Sequence, residues 1–147
     1  MLSTSEQKLE KYWISLAGVL IRDNKCLIME PSNSPGKWDI PGGRIDIGEN
    51  YNDALIRELK EEVGFVNVVV QGVVDYDIWY TEKRNLPICA IAHLISTEET
   101  DLILSHEHLS YEWVTREDLK KYTFVWPAAQ RMIEKGFEKY NELKKYE

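Results

Sequence analysis

The first apolar run covers residues 13–21 (WISLAGVLI), breaks at Asp23-Asn24 and resumes over 25–30. Two apolar segments joined by a short Asp-Asn turn predict a β-hairpin. Between 51 and 63 the period changes. Leu55, Ile56, Leu59 and Val63 recur at helical spacing among charged residues, which predicts an amphipathic helix. Gly64 follows the last periodic residue, where a helix commonly places its left-handed terminator. Residues 66–74 are β-branched enough for a strand, and alternation at Tyr76, Ile78 and Tyr80 continues it past Gly72. A further strand is expected over 86–95, with Pro87 at its start, where a missing N–H does least harm. Residues 103–114 offer another short strand or two. Thr115 reads as the N-cap of a short helix, and Pro127 as the start of a last helix running to Lys144. Strands interleaved with helices predict a three-layer α/β/α sandwich around a mixed sheet.

The central helix is charged in an uneven way. Rotation of about 100° per residue, with Glu58 as zero, puts Glu61 near −60° and Glu62 near +40°, while Leu55, Leu59, Val63 and Ile56 fall between roughly +60° and +160°. One arc is acidic and its neighbour is core. Like charges at i,i+4 destabilise an isolated helix by a few tenths of a kcal/mol, so Glu58 beside Glu62 calls for a compensating gain. A hard divalent cation held by oxygen ligands supplies one. A solvated acidic face, with Arg57 pairing with Glu61, is the bland alternative.

The flanking residues favour the cation. Asp39-Ile40-Pro41-Gly42-Gly43 leads in, and Gly48-Glu49 lies just before the helix. A solvated face has no use for that frame, whereas a metal-phosphate site needs close backbone approach and carbonyl ligands. Read whole, the spacing is Gly43, five residues, Glu49, seven residues, Arg57-Glu58-Leu59, one residue, Glu61-Glu62, one residue, Gly64-Phe65. It resembles the signature of the Nudix hydrolases at every specified position. The resemblance implies a sandwich fold over nearly the whole chain beyond the first dozen residues. It also implies Mg²⁺-dependent hydrolysis, with Mn²⁺ as substitute, of a nucleoside diphosphate linked to another moiety. On that basis Glu61 and Glu62 are expected as direct ligands, Glu58 as a ligand or the base that deprotonates water, and the Gly42 carbonyl as backbone ligand. Arg57 is expected to orient a glutamate, and Glu49 to support the loop or the Arg57 guanidinium.

Farther on, the segment Leu104-Ser105-His106-Glu107-His108-Leu109-Ser110-Tyr111-Glu112-Trp113 is similar to the corresponding segment of diadenosine tetraphosphate hydrolases within that family. Glu107 is the expected downstream glutamate, completing the metal site or serving as base, with Glu112 as its competitor. His106 and His108 lack a third soft ligand for zinc and read instead as loop anchors through imidazole hydrogen bonds. Trp38, Tyr76, Trp79, Tyr80, Tyr111 and Trp126 are the aromatic candidates for stacking a base. Trp38, Arg44, Tyr80 and Tyr111 are put forward as substrate contacts. Lys37, Lys83 and Arg84 could meet further phosphates. Ala129, in a segment loosely parallel to the one where 8-oxo-guanine triphosphatases carry an asparagine, cannot supply those hydrogen bonds.

Composition narrows the class. The 147 residues carry a net charge of −7, are 44% hydrophobic and 29% charged, and show no repeat or low-complexity linker, so a single domain over 1–147 is expected. The acidic balance argues against a nucleic-acid partner and against RNA 5′-end processing. Cys26 and Cys89, both in apolar runs, read as core residues in a reducing compartment. Without a signal-peptide core or a membrane-length apolar stretch, the expectation is a cytoplasmic enzyme with a small-molecule nucleotide substrate, no membrane partner, and a homodimer as the alternative to a monomer. The substrate lean is towards dinucleoside polyphosphates or (d)NTPs. ADP-ribose or nucleotide-sugar hydrolysis, or a non-catalytic nucleotide sensor, are the alternatives.

Overall fold

Asp23 and Asn24 both take positive φ, 51° and 61°, and turn β1 (Trp13–Arg22) back into β2 (Lys25–Pro31). Two successive left-handed residues match the twist of the flanking strands. The pairing is short. Only Ile21↔Cys26 and Arg22↔Lys25 are in register, after which the strands splay. The segment 39–44 fills the wedge: Met29 and Asp39 exchange two backbone hydrogen bonds of 2.8 Å, Gly18 N–H donates to Pro41 O at 2.7 Å, and β3 (Gly42–Arg44) pairs with Ser15–Ala17 of β1. The glycine-rich loop is thus stitched between two core strands.

The computed structural model describes residues 10–82 and 85–147. Its other elements are α1 (Tyr51–Val63), β4 (Val69–Thr81), β5 (Leu86–Ser96), β6 (His108–Val114), a 3₁₀ turn (Glu117–Lys121) and α2 (Ala129–Lys144). The sheet runs β4-β5-β1-β2-β6, with β3 on β1; β5 lies parallel to β1 and the other pairs are antiparallel. The mixed sheet of the expected α/β fold is therefore present.

Both faces of the central strands are covered, so their sequences are apolar at nearly every position. Leu20, Leu27, Met29 and Ile95 pack with Leu59, Val63 and Phe65 on the α1 side. Val19, Ile21, Cys26, Ile28 and Leu94 pack with Met132, Ile133 and Phe137 on the α2 side. Each fully buried aliphatic side chain contributes about 1.5–3 kcal/mol. Leu59→Ala should therefore cost roughly 2–5 kcal/mol and loosen the helix that holds the acidic arc.

Two expectations need correction. Only 108–114 of the segment 103–114 is a strand, because Ile103 and Ser105 spend their N–H groups on Val63 O and Glu62 O, both at 3.0 Å. Those are carbonyls that the end of α1 leaves without intrahelical partners. Helix α2 starts at Ala129, with Pro127 in the preceding turn. Thr115 does accept the Asp118 N–H with its Oγ1 at 3.3 Å, but into a 3₁₀ turn.

Candidate active site

Helix α1 is capped at both ends. Asn50 Oδ1 accepts the Asp53 N–H at 2.9 Å, and the Gly64 N–H returns to Lys60 O at 3.1 Å. Between these caps Arg57 gathers the acids. Its Nε and Nη2 grip the two oxygens of Glu49 at 2.8 and 2.9 Å, Nη1 donates to Glu58 at 2.9 Å and Glu61 at 3.4 Å, and Nη2 donates to Arg44 O at 3.2 Å. The bidentate fork is the strong geometry for a guanidinium and a carboxylate. It lowers the Glu49 pKa to about 2, with the Asp46 N–H helping.

The loop side of the site is built on two glycines. Gly42 has φ 149°, and a Cβ there would lie 2.0 Å from Leu16 O. Gly43 lies against Glu58, whose carboxylate would be 2.4 Å from a Cβ. With both side chains absent, the Gly42 N–H reaches Glu62 Oε1 at 3.3 Å. Glu62 is 6% exposed, and burial raises its pKa well above the ordinary value, with the Glu58 charge adding to the rise. Burial also raises Glu58, against the pull of Arg57. The nearest basic group to Glu62 is His108, with Nε2 at 3.9 Å from Oε2, and burial pushes that imidazole towards its neutral form. Buried Glu62 and half-buried Glu58, which shares Arg57 with Glu49 and Glu61, are left short of positive charge.

Glu62, Gly42, Gly43 and Arg44 form one end of a cavity of about 1150 Å³. Its floor is the α2 side of the sheet, where Ser15, Ala17 and Ala90 are small enough to leave room. Trp79 and Trp126, stacked with centroids 5.3 Å apart and planes at 11°, stand at its wall with Asp39. Arg44 lies over the Trp13 ring at 4.2 Å, and both face the same space. His106, Glu107 and His108 form part of the rim. Their loop is held by main-chain carbonyls, the Ser32 N–H donating to Glu107 O at 2.8 Å and Ser32 Oγ to His106 O at 3.0 Å. The expected imidazole anchoring is not what holds it: His108 Nδ1 is buried without a hydrogen-bond partner among the described residues.

A family model described as NUDIX domain matches residues 13–135. The chain belongs to the Nudix hydrolase family. It is similar to the CTP pyrophosphohydrolase of Escherichia coli, 27% identical over 125 residues that cover 81% of this chain and 87% of that protein. It is also similar to the putative 8-oxo-dGTP diphosphatase 2 of Mycobacterium tuberculosis, 30% identical over 123 residues, 80% of this chain and 82% of the relative. Among solved structures, the E. coli ORF135 protein superposes with a TM-score of 0.75 at 25% identity, covering 92% of this chain and 94% of that one. The chain is thus a hydrolase of phosphoanhydride bonds, in a family that acts on small-molecule nucleotides and generally uses divalent metals.

Within this Nudix fold the sequence-predicted residues separate. Glu58, Glu62 and Gly42 converge, and Arg44 and Glu107 share the cavity with Glu62. Glu61 projects outward, its side chain 58% exposed and outside the cavity lining. Tyr80 is exposed and donates its hydroxyl to Asn85 Oδ1 at 2.7 Å; Trp79 and Thr81 point the other way, into the cavity. Tyr111 pairs with Met29 on the α1 side, and Trp38 packs edge-on against Tyr122, so neither lines the cavity. Lys83 and Arg84 lie outside the described residues. Asp39 and Trp13 were missed as cavity residues, since no periodicity distinguishes them. No helix among the described residues is long and apolar enough to cross a membrane.

The donor set suits a hard cation. The described residues contain no cluster of three or more His, Cys, Asp or Glu side chains arranged around one point. Mg²⁺ asks for less, since it keeps several waters and accepts one or two carboxylates. The Glu58–Glu62 pair, whose one cation Arg57 is shared with Glu49 and Glu61, lies beside a backbone loop and meets that demand.

Proposed function

We propose that this protein is a Mg²⁺-dependent nucleoside triphosphate pyrophosphohydrolase. One observation leads to this reading: a single cavity joins the buried Glu62 carboxylate, which has Glu58 beside it, a cationic side chain at Arg44 and an aromatic wall at Trp79 and Trp126. A cation, phosphates and a base need those three surfaces in that order. Relatives named for CTP and 8-oxo-dGTP support a triphosphate, while another named bis(5′-nucleosyl)-tetraphosphatase keeps the dinucleoside polyphosphates expected from sequence as the second reading.

Glu58 and Glu62, with the Gly42 carbonyl, would hold the cation, and Glu61 would join from the solvent side. A bound Mg²⁺ lowers the pKa of water and neutralises charge developing on the phosphates. Arg57 keeps Glu58 in place while its bidentate grip on Glu49 fixes the loop. Arg44 meets the phosphates, and Glu107, across the cavity from the loop, takes the proton from the attacking water. Water oxygen bonds to one of the two phosphorus atoms of the α–β link, the bridging P–O bond to that phosphorus breaks, and a nucleoside monophosphate and pyrophosphate separate. A non-hydrolysing sensor would not need this arrangement.

The test is a screen of (d)NTPs, dinucleoside polyphosphates, ADP-ribose and sugar nucleotides with Mg²⁺, reading pyrophosphate and monophosphate. The expected result is triphosphate cleavage to both products, reduced at least about 100-fold in Glu62→Gln and Glu107→Gln. Preference for a dinucleoside polyphosphate, ADP-ribose or a nucleotide sugar would refute the substrate reading.

A further inference from the structure

The mechanism leaves one carboxylate of the cavity unused. Asp39 lines the wall beside Trp126, where its Oδ1 accepts two hydrogen bonds, from the Ile40 N–H at 2.8 Å and from Trp126 Nε1–H at 2.5 Å. Its Oδ2 has no hydrogen-bond partner among the described residues, and no Lys or Arg pairs with the group. Burial pushes the Asp39 pKa up to about 6, against the lowering by both donors. At neutral pH and above it is a carboxylate that lines the cavity with one oxygen satisfied and one without a hydrogen-bond partner among the described residues.

That oxygen is also held still. The Asp39 backbone is locked to Met29 by two 2.8 Å bonds, and the two donors on Oδ1 fix the carboxyl plane. Next to it, Trp126 stacks on Trp79 and offers a flat π-surface. A half-buried, fixed acceptor at the edge of an aromatic platform is suited to read N–H groups on a stacked ring. A carboxylate accepts from the exocyclic amine of cytosine, whereas uracil puts a carbonyl oxygen in that place and repels it.

We propose that Asp39 is a specificity-determining residue that accepts a hydrogen bond from the exocyclic amino group of the base stacked on the Trp79–Trp126 pair, so that amino-bearing bases are selected over their oxo counterparts. This rests on the nucleotide-hydrolase reading above and adds to it which edge of the base is read. Uracil and thymine are disfavoured because their carbonyl faces a carboxylate that cannot donate.

Asp39→Asn gives a directional test. The donors on Oδ1 oblige the amide oxygen to remain where Oδ1 was, which turns the amide NH₂ into the cavity. An acceptor becomes a donor with little change of shape, and the variant loses a half-buried charge that no Lys or Arg pairs, so its melting temperature should not fall. The assays are kcat/KM for CTP against UTP at pH 8, and Kd for CMP against UMP by calorimetry, which needs no turnover. The wild type should favour the cytosine member of each pair at least about tenfold, and Asp39→Asn should bring the ratio to one or reverse it. Equal treatment of the pairs by the wild type, or a ratio unmoved in Asp39→Asn, overturns the proposal while triphosphate cleavage stands. If no triphosphate is cleaved but CMP outbinds UMP and the variant reverses it, the base-reading role is upheld and the hydrolytic substrate reading fails.

Discussion

Replacing Glu62 by Gln should make the metal-free protein more stable while disabling it. Glu62 is 6% exposed, its charge is opposed by Glu58, and its one close donor is the Gly42 N–H at 3.3 Å. An amide keeps the acceptor for that N–H and sheds the charge. Removing an uncompensated buried charge should gain on the order of 1–3 kcal/mol, well below the idealised transfer cost because the site relaxes and adjoins a wet cavity. For a chain of this size each kcal/mol moves the melting temperature by about 2–4 °C, so a rise of roughly 2–12 °C is expected in EDTA at pH 8. The pH dependence adds a signature. Glu58 and Glu62 have folded-state pKa values raised above their ordinary value of 4.5, so the folded state binds protons more readily than the unfolded one. Their contribution is fully present below 4.5 and is lost as pH rises through the raised values. Wild-type stability should therefore decline from mildly acidic to alkaline pH more steeply than that of Glu62→Gln. Added Mg²⁺ should invert the ranking, since a ligand at a hundred times its Kd stabilises by about 2.7 kcal/mol and the variant binds it poorly. A variant that melts at or below the wild-type temperature in EDTA would refute the reasoning.

Adjacent glycines should respond differently to alanine. Gly42→Ala sets a Cβ against the Leu16 carbonyl at a φ of 149°, and should abolish soluble folded protein, whereas Gly43→Ala meets the movable end of Glu58 and should melt within a few degrees of wild type while losing most activity. Comparable melting temperatures for the two variants would contradict this. Arg57→Ala should flatten the acid limb of the stability profile. Glu49, lowered to about 2, contributes stability above pH 4.5 that is lost as pH falls towards 2, and urea titrations in that window should show the variant losing less than wild type. Thiol labelling should reach half-buried Cys89 before Cys26, which is fully buried and whose thiol burial pushes up; mass spectrometry showing Cys26 labelled first under native conditions would count against the core packing.

The acidic half of the site was legible because helical geometry converts spacing into direction. Leu55, Leu59 and Val63 set the buried arc, which left Glu58 and Glu62 at its border, and the glycines at 42 and 43 gave the loop that approaches them. The substrate half was not legible, for two physical reasons. Strand β4 carries irregularities between Val70 and Gly72 and between Val73 and Asp75. The two shifts offset each other, so Val70 packs on the α1 side, Trp79 on the α2 side and Tyr80 away from the cavity as plain alternation has it, while Val74 between them joins the α2 side. Alternation sets Trp79 and Tyr80 on opposite faces without saying which face holds the cavity, and it cannot show the displaced Val74, because a bulge inserts a residue without changing the apolar pattern. The second reason is range. Asp39 is distinguished by what lies beside it, and its partner Trp126 is 87 residues away. A carboxylate in a Trp-Asp-Ile-Pro segment looks like a loop residue until the chain brings an indole N–H to one of its oxygens and leaves the other facing an aromatic wall. Residues whose role comes from their own helix can be read from spacing; those whose role comes from a partner elsewhere in the chain require the fold.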